Sequence, residues 1–335
     1  MPAVTLYGQI PGGPHFDDLH VGQVFDSAPS MTLTAGVAAA HQAIIGDRMR
    51  LPLDAELSYA VTGAPGALAH PALVCDVAIG QSTLVTQRVK ANLFYRGLTF
   101  HRYPVIGDTL YTRTEIVGLK QNSAKPGRSA TGLAALRMTT IDGVGRLVLD
   151  FFRCAMLPLS SDDVQTGHND DLSGIGTGTD VVADPIADWN ADAYRARVPA
   201  PHFDTGLAGT VLRSTADVVS SAPELARLSL NIAATHHDSR LAGRRLVYGG
   251  HTIGLALAQA SRLLPNLVTV LGWESCDHTG PVYENDTLYS DLTVEGADVL
   301  GEGRGGVVRL RSVVFAAGED GDRQVLDWKF SALLF

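Results

Sequence analysis

The side chains best suited to chemistry fall between positions 231 and 279. His236 is followed at once by His237 and Asp238, and an imidazole that titrates near neutrality can take up a proton and return it. Further on, Tyr248-Gly249-Gly250-His251 stands at the entrance to a strongly apolar stretch. If that stretch is a helix, its first N–H groups are unsatisfied and its dipole favours negative charge, so a developing oxyanion can be held there. Two glycines let a ligand oxygen come close to the backbone. His278 and Thr279 lie in a segment of strand character. Each feature also has a plainer reading: a solvated loop for 236–238, a helix-entry turn for 248–250, an exposed helix face for His251, and a cross-strand or core contact for His278. No GxSxG, P-loop, HExxH or strand-borne GxGxxG pattern occurs, and Cys75, Cys154 and Cys276 show no CxxC spacing. A thiolate zinc site, a bound dinucleotide and a serine-hydrolase elbow are therefore not expected.

The elements that carry these residues come in two copies. His15-Phe16-Asp17 returns as His202-Phe203-Asp204, and Gly22 as Gly209. Asp108-Thr109-Leu110-Tyr111 returns as Asp286-Thr287-Leu288-Tyr289, Gly118 as Gly296, and Leu136-Arg137 as Leu310-Arg311. VLDFFRCAML (148–157) matches VLDWKFSALL (325–334). Matches in the same order with slowly drifting spacing mark a duplication. The expected division is an N-terminal module over 1–157, a linker over 158–201, and a C-terminal module over 202–335. The linker is rich in Ser, Asp, Gly and Pro, a composition that reads as unable to bury a face. In the register set by His15 and His202, His236 falls opposite Met49 and Asn231 opposite Ile44, so only the second copy carries the histidine.

Within each copy a short entry strand (21–25; 207–212) precedes a helical stretch (35–45; 222–231), a loop, and a second apolar helix. Ile253, Leu257, Ala260 and Leu264 share one face of that helix in the second copy; residues 68–80 correspond in the first. The region from Leu57 to Cys75 reads as a loop entering this helix. Alternating β-branched and aromatic runs follow: 100–105, 109–121, 132–141 and 146–157, then 269–279, 287–297, 306–316 and 324–335. One apolar helix followed by several antiparallel strands predicts an α+β module with the sheet wrapped around the helix.

The chain has 335 residues, enough for two domains, with 45% hydrophobic and 18% charged residues, which supports a full core. Its net charge of −9 argues against a nucleic-acid binder, because counterion displacement needs a concentrated basic face. Anionic small molecules stay possible through a few local cations. The N-terminus lacks the basic start and apolar run of a signal peptide, and no uncharged stretch fits a membrane span. With sparse cysteines, a cytoplasmic location is expected.

RLSLNIAATHHD, GRRLVYGGHTIGLA and DHTGPVYENDTLY in the second copy, with IGDTLYTRTEIVGLKQN in the first, give the chain its family resemblance. It resembles the MaoC-like hydratases, and among them the mesaconyl-CoA hydratases, also called β-methylmalyl-CoA dehydratases. The resemblance implies a double hotdog fold and a hydro-lyase acting reversibly on an enoyl-CoA, such as the short, branched, dicarboxylic mesaconyl-CoA. It implies no cofactor beyond the coenzyme A of the substrate, no metal, and a homodimer. The family motif G-D-x-N-P-x-H falls on Leu230 to His236, which makes His236 the acid–base residue. Asn231 takes the aspartate's place and keeps hydrogen-bonding capacity while removing a base. Tyr248, Gly249, Gly250, His251 and His278 are then expected to contact substrate. Arg48, in IGDRMR, either meets a substrate carboxylate or coenzyme A phosphate or is a surface arginine; Arg244 and Arg245 carry the same alternatives. Other readings on the same scaffold are a dehydratase for longer (3R)-hydroxyacyl thioesters, a thioesterase, and a non-catalytic acyl-CoA binder.

Overall fold

A computed structural model describes residues 12–178, 184–241, 243–301 and 303–335. The first copy contributes β1 (Val24–Phe25), β2 (Met31–Thr32), α1 (Ala35–Ile45), α2 (Arg50–Leu53), α3 (Ala55–Thr62), α4 (Pro71–Gln81), β3 (Ala91–Phe100), β4 (Thr109–Gln121), β5 (Thr131–Asp142) and β6 (Leu147–Pro158). After α5 (Ala191–Arg197), the second copy supplies β7 (Val211–Arg213), β8 (Asp217–Val218), α6 (Ala222–Leu228), α7 (Gly249–Leu263), β9 (Leu267–His278), β10 (Thr287–Val299), β11 (Gly306–Ala316) and β12 (Arg323–Leu334).

The strands form one antiparallel sheet in the order β1-β4-β5-β6-β3-β9-β12-β11-β10-β7, with β2 added to β4 and β8 to β10. The halves are mirror lists of equivalent strands joined at β3–β9, where Tyr95 pairs with Cys276 and Leu98 with Trp273. The fold is a double hotdog: each half of the sheet curls around its own helix, α4 or α7. The duplication is visible atom by atom. Gly22 and Gly209 both take positive φ (84° and 85°) and donate to Ile116 and Val294. A bulge interrupts β4 between Ile116 and Gly118 and β10 between Val294 and Gly296. Gln81, the last residue of α4, and Gln259, in the last turns of α7, each donate to the strand beside them, at Leu110 O and Leu288 O.

Every residue of α4 is buried, Asp76 included, because the sheet covers one side and α7 the other. Thr34 caps α1 by accepting from Val37, and Gly46 ends it in the left-handed region (φ 68°). The core runs without a break through both copies.

Several sequence expectations change. Residues 55–62 are helical, capped by Asp54 accepting from Leu57, instead of belonging to a loop. The strand expected at 100–105 is β3 over Ala91–Phe100, which the glycine and arginine of its sequence had disguised. The second copy's first helix stops at Leu228 instead of Asn231, leaving 229–238 free to form a loop. The connecting segment does bury residues: Leu172, Ile186, Ala191, Tyr194 and Val198 are all buried. Its first part is tied to β4 by hydrogen bonds from Gln121 N to His168 O and from Asp170 N to Leu119 O.

Candidate active site

The loop after α6 rests on the end of α4. A Cβ at Gly80 would run into the Ser229 carbonyl, so only glycine permits this approach. Thr83 Oγ1 accepts from Ile232 N (3.1 Å), and Gln87 O accepts from Ala234 N (2.9 Å). The loop of the second copy is therefore fixed by the first, and a cavity of about 400 Å³ opens at the seam. It is bounded by the loop, the start of α7, the end of β9, the start of β3 and the middle of β6.

His236 lines this cavity in a short 3-10 turn, Ala234–His236. Its Nδ1 lies 2.8 Å from Leu246 O. A carbonyl only accepts, so Nδ1 carries the hydrogen and the neutral ring keeps its lone pair on Nε2. Burial lowers its pKa to about 4, opposed by the Leu246 bond and assisted by His237 and Arg153. The ring packs edge-on against Tyr248 (centroids 5.7 Å apart). Asn231 also lines the cavity, but its side-chain oxygen accepts from Ala233 N (3.0 Å). That contact closes the loop that presents His236.

Tyr248, the N-cap of α7, is 2% exposed and lines the cavity. It gives the helix no side-chain cap, and its buried hydroxyl stands beside Asp76. Burial, followed by Asp76, raises its pKa well above the ordinary phenol value, so it is a neutral donor. Gly249 lines the cavity; a Cβ there would lie 2.6 Å from His278 Nε2. His278 lines it too, with Nε2 unpartnered and its pKa lowered to about 4 by burial and His236. The two glycines thus have a physical reason other than ligand approach. Gly249 makes room for His278, and Gly250, which does not line the cavity, makes room for Asp76 and the Tyr248 ring.

Three expected residues lie outside this cavity: Gly250, His251 and Arg48. His251 faces the core, neither the cavity nor solvent; it is 0% exposed, its ring nitrogens have no hydrogen-bond partner among the described residues, and burial lowers its pKa to about 4. Arg48 is exposed in a separate depression with Arg50, Asp54 and Arg197. A helix turn places His251 inward, and the loop after α1 sets Arg48 beside Ser261 and Arg262 of α7, away from the cavity.

Sequence reasoning missed Arg153 on β6. It is 3% exposed, lines the cavity, and donates from Nη2 to Thr86 Oγ1 (2.8 Å) and Ser82 O (3.4 Å). Lys90 and Arg244 also line the cavity and are exposed, and the Arg244 guanidinium lies 3.9 Å over the Tyr283 ring. The signal for Arg153 was its register: it shares the inward face of β6 with Phe151 and Ala155.

No family model matches the chain. A conserved hypothetical protein of Mycobacterium tuberculosis, solved as a double hotdog fold, is 68% identical, with 97% of this chain and 99% of that one covered and a TM-score of 0.93. The β-methylmalyl-CoA dehydratase of Chloroflexus aurantiacus is 26% identical over 323 residues, covering 90% of this chain and 88% of that protein. The mesaconyl-CoA hydratase of Cereibacter sphaeroides is 25% identical over 321 residues, covering 92% and 91%. The chain belongs to the double hotdog proteins.

With the MaoC-like motif in view, the structure also re-registers the two copies. Leu230 has φ 62° and Gly46 φ 68°. Asn231 Oδ1 accepts from Ala233 N as Asp47 Oδ1 accepts from Met49 N (2.6 Å). Thr83 Oγ1 accepts from Ile232 N as Ser261 Oγ accepts from Arg48 N (3.3 Å). Asn231 is therefore equivalent to Asp47, not Ile44, and His236 to Pro52, not Met49. Gly46-Asp47 retains the opening of the family motif in the copy without the histidine, whereas the second copy has the histidine without the aspartate. Asp47 is 1% exposed, with Ser261 Oγ at 3.1 Å and His70 Nε2 at 3.2 Å. Burial pushes its carboxyl up, but His70 and these donors outweigh that and hold it below the usual range.

Proposed function

We propose that this chain is an enoyl-CoA hydro-lyase in which His236 is the sole acid–base residue. The observation that carries the reading is a neutral imidazole, its tautomer set by Leu246, in a cavity that also receives the uncapped start of α7. In hydration, His236 Nε2 takes a proton from water as the water oxygen bonds to Cβ. Electrons of the double bond move toward the thioester carbonyl, which the amides at the start of α7 and the Tyr248 hydroxyl stabilise. The imidazolium then returns the proton to Cα. One group doing both transfers works from one face, so syn addition is expected. The exposed Lys90 and Arg244 supply positive charge for the coenzyme A phosphates in a chain of net charge −9.

The acyl group is a short, branched, dicarboxylic one such as mesaconyl. The names of the two curated relatives support this reading, and a cavity of about 400 Å³ suits a small acyl unit with part of its pantetheine arm. The test is a thioester panel (mesaconyl-, crotonyl- and a longer enoyl-CoA), followed by loss of enoyl absorbance and product mass. Wild type should hydrate mesaconyl-CoA fastest, and His236→Ala should lower kcat by about 10²- to 10⁴-fold. Binding without turnover in wild type would turn the reading toward an acyl-CoA binder.

A further inference from the structure

We propose that Arg153 is the receptor for a carboxylate on the acyl chain, so that this cavity selects CoA thioesters of dicarboxylic acids. The inference rests on reading the cavity as the acyl site. Arg153 is almost wholly inside the protein and makes no ion pair among the described residues. Among the described residues its Nε has no partner, and its Nη2 contacts are a hydroxyl and a carbonyl, which leave a full positive charge uncompensated. A buried cation without an anion is unfavourable, and proteins keep one where a ligand completes the pair. Among the described residues no Asp or Glu lines the cavity, whereas Lys90, Arg153 and Arg244 do. Lys90 and Arg244 are exposed at its boundary and suit phosphates; Arg153 is buried in its wall.

The duplication supplies a control within the same chain. On the sheet ladder Arg153 pairs with Leu136 as Phe330 pairs with Leu310, so the equivalent position in the second copy is Phe330, also buried. The fold at this place is satisfied by an apolar ring. The arginine appears only in the copy whose strand faces the histidine-bearing loop. Its planar fork matches a carboxylate with two parallel N–H donors.

The test uses a matched pair, mesaconyl-CoA and 2-methylcrotonyl-CoA, which differ by a carboxylate in place of a methyl group. Wild type should favour mesaconyl-CoA in kcat/KM by about 100-fold, Arg153→Gln should reduce that ratio to within a few-fold of unity, and Arg153→Lys should restore part of it. A ratio unchanged in Arg153→Gln, with both substrates falling together, would overturn the proposal and assign Arg153 to holding Thr86 or to the enolate. Preference of wild type for the neutral substrate would overturn it as well. Calorimetric titration with succinyl-CoA and butyryl-CoA separates this proposal from the hydratase reading. Tighter binding of succinyl-CoA by wild type, lost in Arg153→Gln, supports the carboxylate receptor even if no thioester is hydrated. Equal binding of the two by wild type overturns it, whether or not the variant folds.

Discussion

At the scale of single residues, the protonation of His236 decides what the cavity can do. Its pKa is lowered to about 4 chiefly by burial, with the Arg153 charge acting in the same direction. The ring is therefore a base ready to accept at Nε2 throughout the neutral range, and it is disabled only when acid protonates it. The expected profile of kcat/KM for hydration is flat from about pH 6 upward on its acidic limb, with a decline centred near 4. Stopped-flow measurements in rapid pH jumps check this before the protein unfolds. Replacing Arg153 by Gln removes a positive neighbour, so the decline should move to higher pH. A limb centred near 6.5 in wild type would mean that the imidazole is solvated and that its buried setting is not the reacting one.

At the scale of elements, the site depends on the contact between α4 of one copy and the 229–238 loop of the other. Gly80 has the Ser229 carbonyl where its Cβ would stand, and backbone cannot yield as a flexible side chain does. Gly80→Ala should destabilise the protein by about 2–4 kcal/mol, the range of severe overpacking, and should lower activity more than stability alone explains, because the loop carries His236. Urea denaturation and kcat measured on the folded fraction separate the two effects. Part of this architecture was legible in the residues. The Thr34 cap and Gly46 stop delimit α1, and the alternation over 109–118 marks β4. The repeated HFD and DTLY segments announced two modules. The loop register was illegible because α6 is shorter than α1, which shifts the spacing between the HFD anchor and the motif; only the Asp47 and Asn231 turn bonds restore it. Arg153 was hidden for another reason: a charged residue in a strand reads as outward-facing, and its burial follows from a β6 register that the sheet sets. His251 was misplaced because an imidazole near a helix start looks accessible, whereas α7 is enclosed almost along its length.

At the scale of the whole molecule, one core spans both copies, so the chain should unfold in a single transition and its titrating groups should act on one equilibrium. His236, His251 and His278 each have pKa values lowered to about 4, burial being the first cause in all three. Unfolded, each returns to its ordinary 6.5, so between 6.5 and 4 the unfolded chain binds more protons than the folded one. Stability from these groups is complete above pH 6.5 and is lost as pH falls toward 4. Each contributes a slope of at most about 1.4 kcal/mol per pH unit near the lower end. Urea midpoints measured from pH 7.5 down to 4.5 should therefore decline ever more steeply below about 6. His251 is outside the cavity and has no hydrogen-bond partner, which makes it the cleanest probe of this linkage. His251→Leu should remove about a third of the slope that these three histidines contribute while leaving stability at pH 7.5 equal or higher, because it replaces an unsatisfied buried polar ring with an apolar side chain. An unchanged slope in that variant would locate the acid sensitivity elsewhere, with the buried His41 and Asp47, both held below their ordinary pKa values, the next groups to test.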